Sequence, residues 1–171
     1  MRNASGEVLD GNIVAVSPGF SNGFESDDAI KLQNFGENFG IAANGNILSV
    51  NARKDFTSAD TVQFNATGLR EQTYQLTIAP ENLATGVLEA YFADRFLQTK
   101  TALNLSGNNQ LSVTITNDPA SKAANRFYIV FKVTGPVPVR SIDLFAVRNN
   151  ADKHSININW SGYRRNGDGF L

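Results

Sequence analysis

A chain of 171 residues with 42% hydrophobic residues is long enough for one β-sandwich, or one sandwich plus part of another module. Charged residues make up only 18% and net to −1, which gives no sign of the basic face a nucleic-acid binder needs to displace counterions from phosphates, and no nucleic-acid partner is expected. There is no cysteine, so disulfides, Cys-ligated zinc, iron–sulfur clusters and a thiol nucleophile are excluded as well.

The first 26 residues are rich in Gly, Ser and Asn and carry no apolar h-region of a signal peptide. They are read as an N-terminal extension or a first strand. From residue 40 onward the hydrophobic pattern has period two. Asn44-Gly45 stands between FGIAA and ILSV, and Asn-Gly tolerates the positive φ angles of a tight hairpin. Val62 and Phe64 share a face. So do Tyr74, Leu76 and Ile78, with Gln75 and Thr77 opposite. Leu88–Phe92 is a short apolar run. Leu111, Val113 and Ile115 alternate with Ser112, Thr114 and Thr116. Asn117-Asp118-Pro119 marks a turn, after which Ala120–Ala124 could form one helical turn capped by Asp118 or Ser121. A second such turn is expected at Pro80–Ala84. Arg126–Val133 (RFYIVFKV) is apolar on both faces and reads as the central core strand.

Two prolines and a glycine follow in KVTGPVPVR, a linker or strand switch. Ile142–Val147 and Ser155–Trp160 then read as strands with a turn at Asn149-Asn150, and Ile156, Ile158 and Trp160 share one face. The expected fold is all-β, a two-sheet antiparallel β-sandwich of jelly-roll-like form. The sandwich module is placed at residues 27–134, and residues 135–171 are a linker plus extra strands or a truncated further segment. No apolar run is long enough to span a bilayer, so membrane insertion is not expected.

Candidate chemistry is sparse. His154 is the sole histidine; no G-x-S-x-G elbow accompanies it, and a transition-metal site needs more nitrogen or sulfur ligands. No catalytic residue is assigned and no cofactor is expected, with calcium the one ion the loop acids Asp27, Asp28 and Asp118 could hold. Asp94 closes one strand and Arg126 opens another. If those ends are adjacent, a bidentate carboxylate–guanidinium pair clasps the DRFL loop to the NDPASKAAN loop. Tyr91 and Tyr128 are the aromatic residues that could stack on a sugar, although core packing is the favoured reading of both.

Four stretches carry a family resemblance: DAIKLQNFGENFGI, ILSVNARKDFTSADTVQFNATGLREQTYQLTI, LEAYFADRFLQTKTALNL and NDPASKAANRFYIVFK. Their most specific elements are Asp94 with Leu97, and Asp118, Ser121, Arg126, Phe127, Val130 and Phe131. Together they resemble a module common in large secreted Bacteroidetes proteins that usually end in a type IX secretion sorting domain. The tail from PVPVRSIDLF onward looks like the opening strands of a fibronectin-III-like segment. The resemblance implies a piece of a longer precursor, located outside the cell or on its outer surface. It implies a spacer or accessory role in adhesins, with neighbouring domains of the same polypeptide as partners and glycans or other surface proteins as further ones. In that setting Asp60-Thr61-Val62 fits the acid–hydroxyl–apolar triplet used for O-glycosylation, with Thr61 the modified residue. The expected function is therefore a non-enzymatic structural or adhesive module, with a carbohydrate-binding module as the alternative and a hydrolase third.

Overall fold

The computed structural model describes residues 1–83 and 88–133 and, beyond them, the backbone of two strands at 143–150 and 155–161. The chain divides into two compact units, Met1–Gly135 and Pro136–Leu171. The first is an all-β sandwich.

Its strands are β1 (Ile13–Val16), β2 (Ala29–Ile30), β3 (Asn38–Ala43), β4 (Asn46–Arg53), β5 (Thr61–Thr67), β6 (Thr73–Ile78), β7 (Leu88–Asp94), β8 (Thr99–Leu103), β9 (Asn109–Thr114) and β10 (Phe127–Val133). Eight of them form one sheet in the order β1-β4-β3-β5-β10-β7-β8, with β2 also paired to β4. The other sheet is β6 and β9 alone. Pairing is antiparallel except for β1 with β4, which is parallel. The second unit contains an antiparallel pair, β11 (Asp143–Asn150) and β12 (Ser155–Ser161). The strand extends through Asn149 and Asn150 rather than turning there. The side chains of Ile156, Ile158 and Trp160 lie outside the described residues, as do His154 and the Pro-rich stretch after Val133. No helix among the described residues is long and apolar enough to cross a membrane.

Alternation is the cause of this layering. Val62, Phe64 and Ala66 on β5, Tyr74 and Leu76 on β6, Ala90 and Phe92 on β7, and Phe127, Ile129 and Phe131 on β10 all point into the space between the sheets and are buried. Phe127 sits at the middle, with its ring 5.6 Å from Phe92 and 6.4 Å from Phe39, which in turn stacks on Phe64 at 4.8 Å. Such pairs add about 0.5–1.5 kcal/mol each beyond the area they bury. Strand β10 is central, between β5 and β7, but it is not apolar-buried on both faces: Tyr128 and Val130 face outward and are half-buried.

Turn chemistry closes the hairpins. Asn44 (φ 51°) and Gly45 (φ 75°) join β3 to β4 with the two left-handed residues a type I′ turn requires. Asp118 caps a 3-10 turn, Pro119–Lys122, by accepting from the Ala120 N–H at 2.8 Å. Residues 80–83 form no helical turn. Gly68 has φ +68°, and a Cβ there would stand 2.6 Å from the Gly36 carbonyl oxygen. Gly68→Ala is accordingly expected to cost at least about 2 kcal/mol, the strain of a left-handed alanine plus a backbone clash. Urea denaturation checks this, and an unchanged midpoint would show that the loop simply shifts.

Candidate functional site

Among the described residues, the most concentrated polar constellation lies where β7 ends and β10 begins. Arg126 is 1% exposed and Asp94 5%. Arg126 Nε donates to Asp94 Oδ1 at 2.8 Å and Nη2 to Oδ2 at 2.7 Å, a two-pronged pair. Nη1 donates to Thr114 O, Ser121 O and Ser121 Oγ at 2.9–3.0 Å. Asp94 Oδ1 also accepts the Phe96 N–H at 2.9 Å and the Leu97 N–H at 3.2 Å. The guanidinium lies 4.8 Å from the Phe96 ring centre and 4.7 Å from that of Phe127. Thus one side chain ties together the DRFL loop, the end of β9 and the 3-10 turn that Asp118 caps. Nothing in the arrangement leaves either charge free to meet a substrate.

The loop acids are likewise committed. Asp28 Oδ1 accepts from Asn51 Nδ2 at 3.1 Å and from the Ala52 N–H at 3.0 Å, and Oδ2 from the Glu25 N–H at 3.0 Å. Burial opposes its ionisation, but these hydrogen bonds outweigh it and hold its pKa below the ordinary aspartate value. Asp60 behaves the same way: burial is overcome by the Thr57 hydroxyl and N–H and by Arg53. Asp27 is exposed, and Asp118 serves the cap. Among the described residues no group of three or more His, Cys, Asp and Glu side chains is placed to hold a metal ion.

Both lowered pKa values make a contribution to stability that is complete above the unfolded-state value, about 4, and is lost as pH falls through the lower folded-state value. The thermal midpoint is therefore expected to hold steady from pH 7 to about 5 and to fall below about 4. Asp28→Asn should flatten that fall. An identical acid limb in the variant would show that Asp28 contributes none of it.

Tyr91 and Tyr128 correct the core-packing expectation. The register that turns Ala90, Phe92, Phe127 and Ile129 inward necessarily turns both tyrosines to the outer face of the large sheet, where each is half-buried. Their burial comes from long polar neighbours. Arg95 lies over the Tyr128 ring at 4.1 Å and donates to Gln63 Oε1 and Asn125 O. The Tyr91 hydroxyl donates to Glu89 Oε2 at 2.6 Å, which lowers the Glu89 pKa and raises that of Tyr91. A shallow recess of about 330 Å³ opens between Arg95, Gln98, Lys100 and Tyr128. Thr61 begins β5 on this same outer face and is exposed.

Sequence reasoning missed a second buried ion pair. Lys31 Nζ lies 2.7 Å from the Asp10 carboxylate, with the two side chains 4% and 7% exposed. The Phe39 N–H also donates to Asp10 Oδ2 at 2.8 Å. No local signal marks the pair, because its members are 21 residues apart and meet only through the fold. No family model, no curated protein and no solved structure matches this chain.

Proposed function

We propose that this protein is a non-enzymatic structural or adhesive β-sandwich module of a secreted or cell-surface bacterial protein, working outside the cell or on its outer surface. The observation that carries the reading is the Arg126–Asp94 knot. The most elaborate polar constellation joins three pieces of backbone and is closed to solvent. The acids Asp28, Asp60 and Asp118 support it in the same sense, since each is spent on a turn, a neighbouring strand or a cap. The family resemblance in the DRFL and NDPASKAAN loops supplies the cell-surface setting, and neighbouring domains of the same polypeptide are the partners it implies.

A carbohydrate-binding role is the second reading, favoured by the recess beside Tyr128, where Arg95 and Lys100 could meet an acidic sugar. Arg95 covers the Tyr128 face, which leaves that ring unavailable for sugar stacking. A glycan array with neutral and acidic glycans separates the two. Signal at background supports the structural module. Binding that disappears in Arg95→Ala and Lys100→Ala replaces it with the lectin-like reading.

A further inference from the structure

In the smaller sheet β9 pairs with β6 alone among the described residues, and the phase of that pairing fixes which of its backbone groups stay open. Arg2 exchanges both backbone hydrogen bonds with Gln75, at 2.8 and 3.0 Å, so the Gln75 N–H and C=O point away from β9. Hydrogen-bonded positions alternate along an antiparallel pair. Leu111 and Val113 therefore bond to β6, whereas Gln110, Ser112 and Thr114 turn their N–H and C=O outward. The Thr114 carbonyl agrees with this phase, since it accepts from Arg126 Nη1 at 3.0 Å. The N–H and C=O groups of Gln110 and Ser112 have no backbone partner among the described residues.

An open edge is ordinarily guarded by charge, proline or a bulge. Strand β9 has none of these. No charged residue occurs from Thr101 to Asn117, β9 contains no proline, and its register with β6 runs without a shift. The edge strand β8, by contrast, carries Lys100. The turn that leads into β9 is also firmly built. The Asn109 side chain accepts the Asn104 N–H at 2.7 Å and donates to the carbonyls of Asn104 and Gly107 at 2.9 and 3.1 Å. The edge is thus held in place before anything pairs with it, which lowers the ordering cost of association.

The side chains along this edge say what fits it. Strand β6 presents Thr77 to Gln110, Leu76 to Leu111 and Gln75 to Ser112. The Gln75 and Ser112 side chains exchange hydrogen bonds of 2.8 and 3.1 Å. A second β9, laid antiparallel on the open edge with Leu111 opposite Leu111, presents Ser112, Leu111 and Gln110 to the same three residues. The series is again hydroxyl, leucine, glutamine, so β9 meets in its own copy the chemistry it already meets in β6. All the open N–H and C=O groups of Gln110 and Ser112 pair in this register. The half-buried Leu111 of each copy meets the other and continues the apolar layer. We propose that two copies of this chain associate through β9 about a two-fold axis at Leu111, joining their small sheets into one of order β6-β9-β9-β6. Such a contact uses the same patch on both copies and closes on itself. The inference concerns assembly and stands whichever role the module plays.

The test is analytical ultracentrifugation of the full chain up to millimolar concentration, together with hydrogen exchange. A monomer–dimer equilibrium is expected, and the Gln110 and Ser112 amides should exchange more slowly by about tenfold or more as the dimer fills. Paired substitutions at these two exposed positions read the register. Gln110→Lys with Ser112→Lys sets like charges directly opposite one another across the axis and should leave a monomer. Gln110→Glu with Ser112→Lys sets opposite charges there and should keep the dimer, although both variants lose the same bonds to Gln75. A parent chain that stays monomeric at millimolar concentration overturns the proposal. So does protection of the Ser112 amide that does not change with concentration, which would mean that the chain's own residues cover the edge. A dimer indifferent to both charge pairs, or broken by both, overturns it as well, because neither result follows from this register.

Discussion

Replacing Arg126 by alanine is expected to lower the unfolding free energy by about 3–5 kcal/mol, the cost of stranding one member of a buried ion pair. Asp94 would keep only the Phe96 and Leu97 N–H groups, and the carbonyls of Thr114 and Ser121 would lose their donor together. For a sandwich of this size the thermal midpoint should drop by roughly 10 °C or more. Arg126→Lys should rescue little, because one ammonium cannot satisfy a carboxylate and two carbonyls from a single position. A double-mutant cycle sharpens the test. Asp94→Ala with Arg126→Ala should cost less than the two single losses added, since the second substitution removes the charge that the first left unpaired. It should still cost more than either alone, because each partner also holds backbone that the other does not reach. A melt of Arg126→Ala within a degree of the parent would end the claim that this knot holds the two loops and β9 together.

That pair was legible in the sequence because its members flank two apolar runs that read as strands, Leu88–Phe92 and Arg126–Val133. Alternation marked β5, β6 and β9, whose inward residues are buried or, at Ile78 and Leu111, partly buried as the pattern requires. It failed where polarity did not differ between faces. Tyr91, Tyr128 and Val130 look like core in sequence, yet the outward face of β7 and β10 is screened by Arg95, Glu89 and Lys132 rather than by a second layer. Strand β8 (TKTAL) escaped because only Leu103 of it is buried, as befits an edge. Strand β1 falls in the segment read as an extension or a first strand, but its parallel pairing to β4, Ile13 opposite Val50, was not legible, because it is set by residues that turn signals cannot bring together. The Asp10–Lys31 pair is the same case in side-chain form, a contact visible only once β1 to β4 are assembled.

The Asp10–Lys31 pair decides whether the first 26 residues are part of the sandwich. Asp10 accepts from Lys31 and the Phe39 N–H, so it fastens the N-terminal segment to β2 and β3 at once. The aliphatic stem of Lys31 packs against Gly40, where a Cβ would lie 2.8 Å from its Cδ. That lysine is seated in a groove made for it. Asp10→Ala leaves a nearly buried ammonium unpaired and a strand N–H without its acceptor, and is expected to cost about 3–5 kcal/mol. The loss should be local as well as global. Freed of its fastening, the segment around β1 should open ahead of the rest, so limited proteolysis should cut within residues 1–26 in the variant and spare the parent. Lys31→Met keeps the stem over Gly40 and removes the buried ammonium, but strands the Asp10 carboxylate; it should show the same early cleavage. Should Asp10→Ala keep both the parent's midpoint and its resistance to protease, the parallel β1–β4 pairing would have to hold the segment without the ion pair.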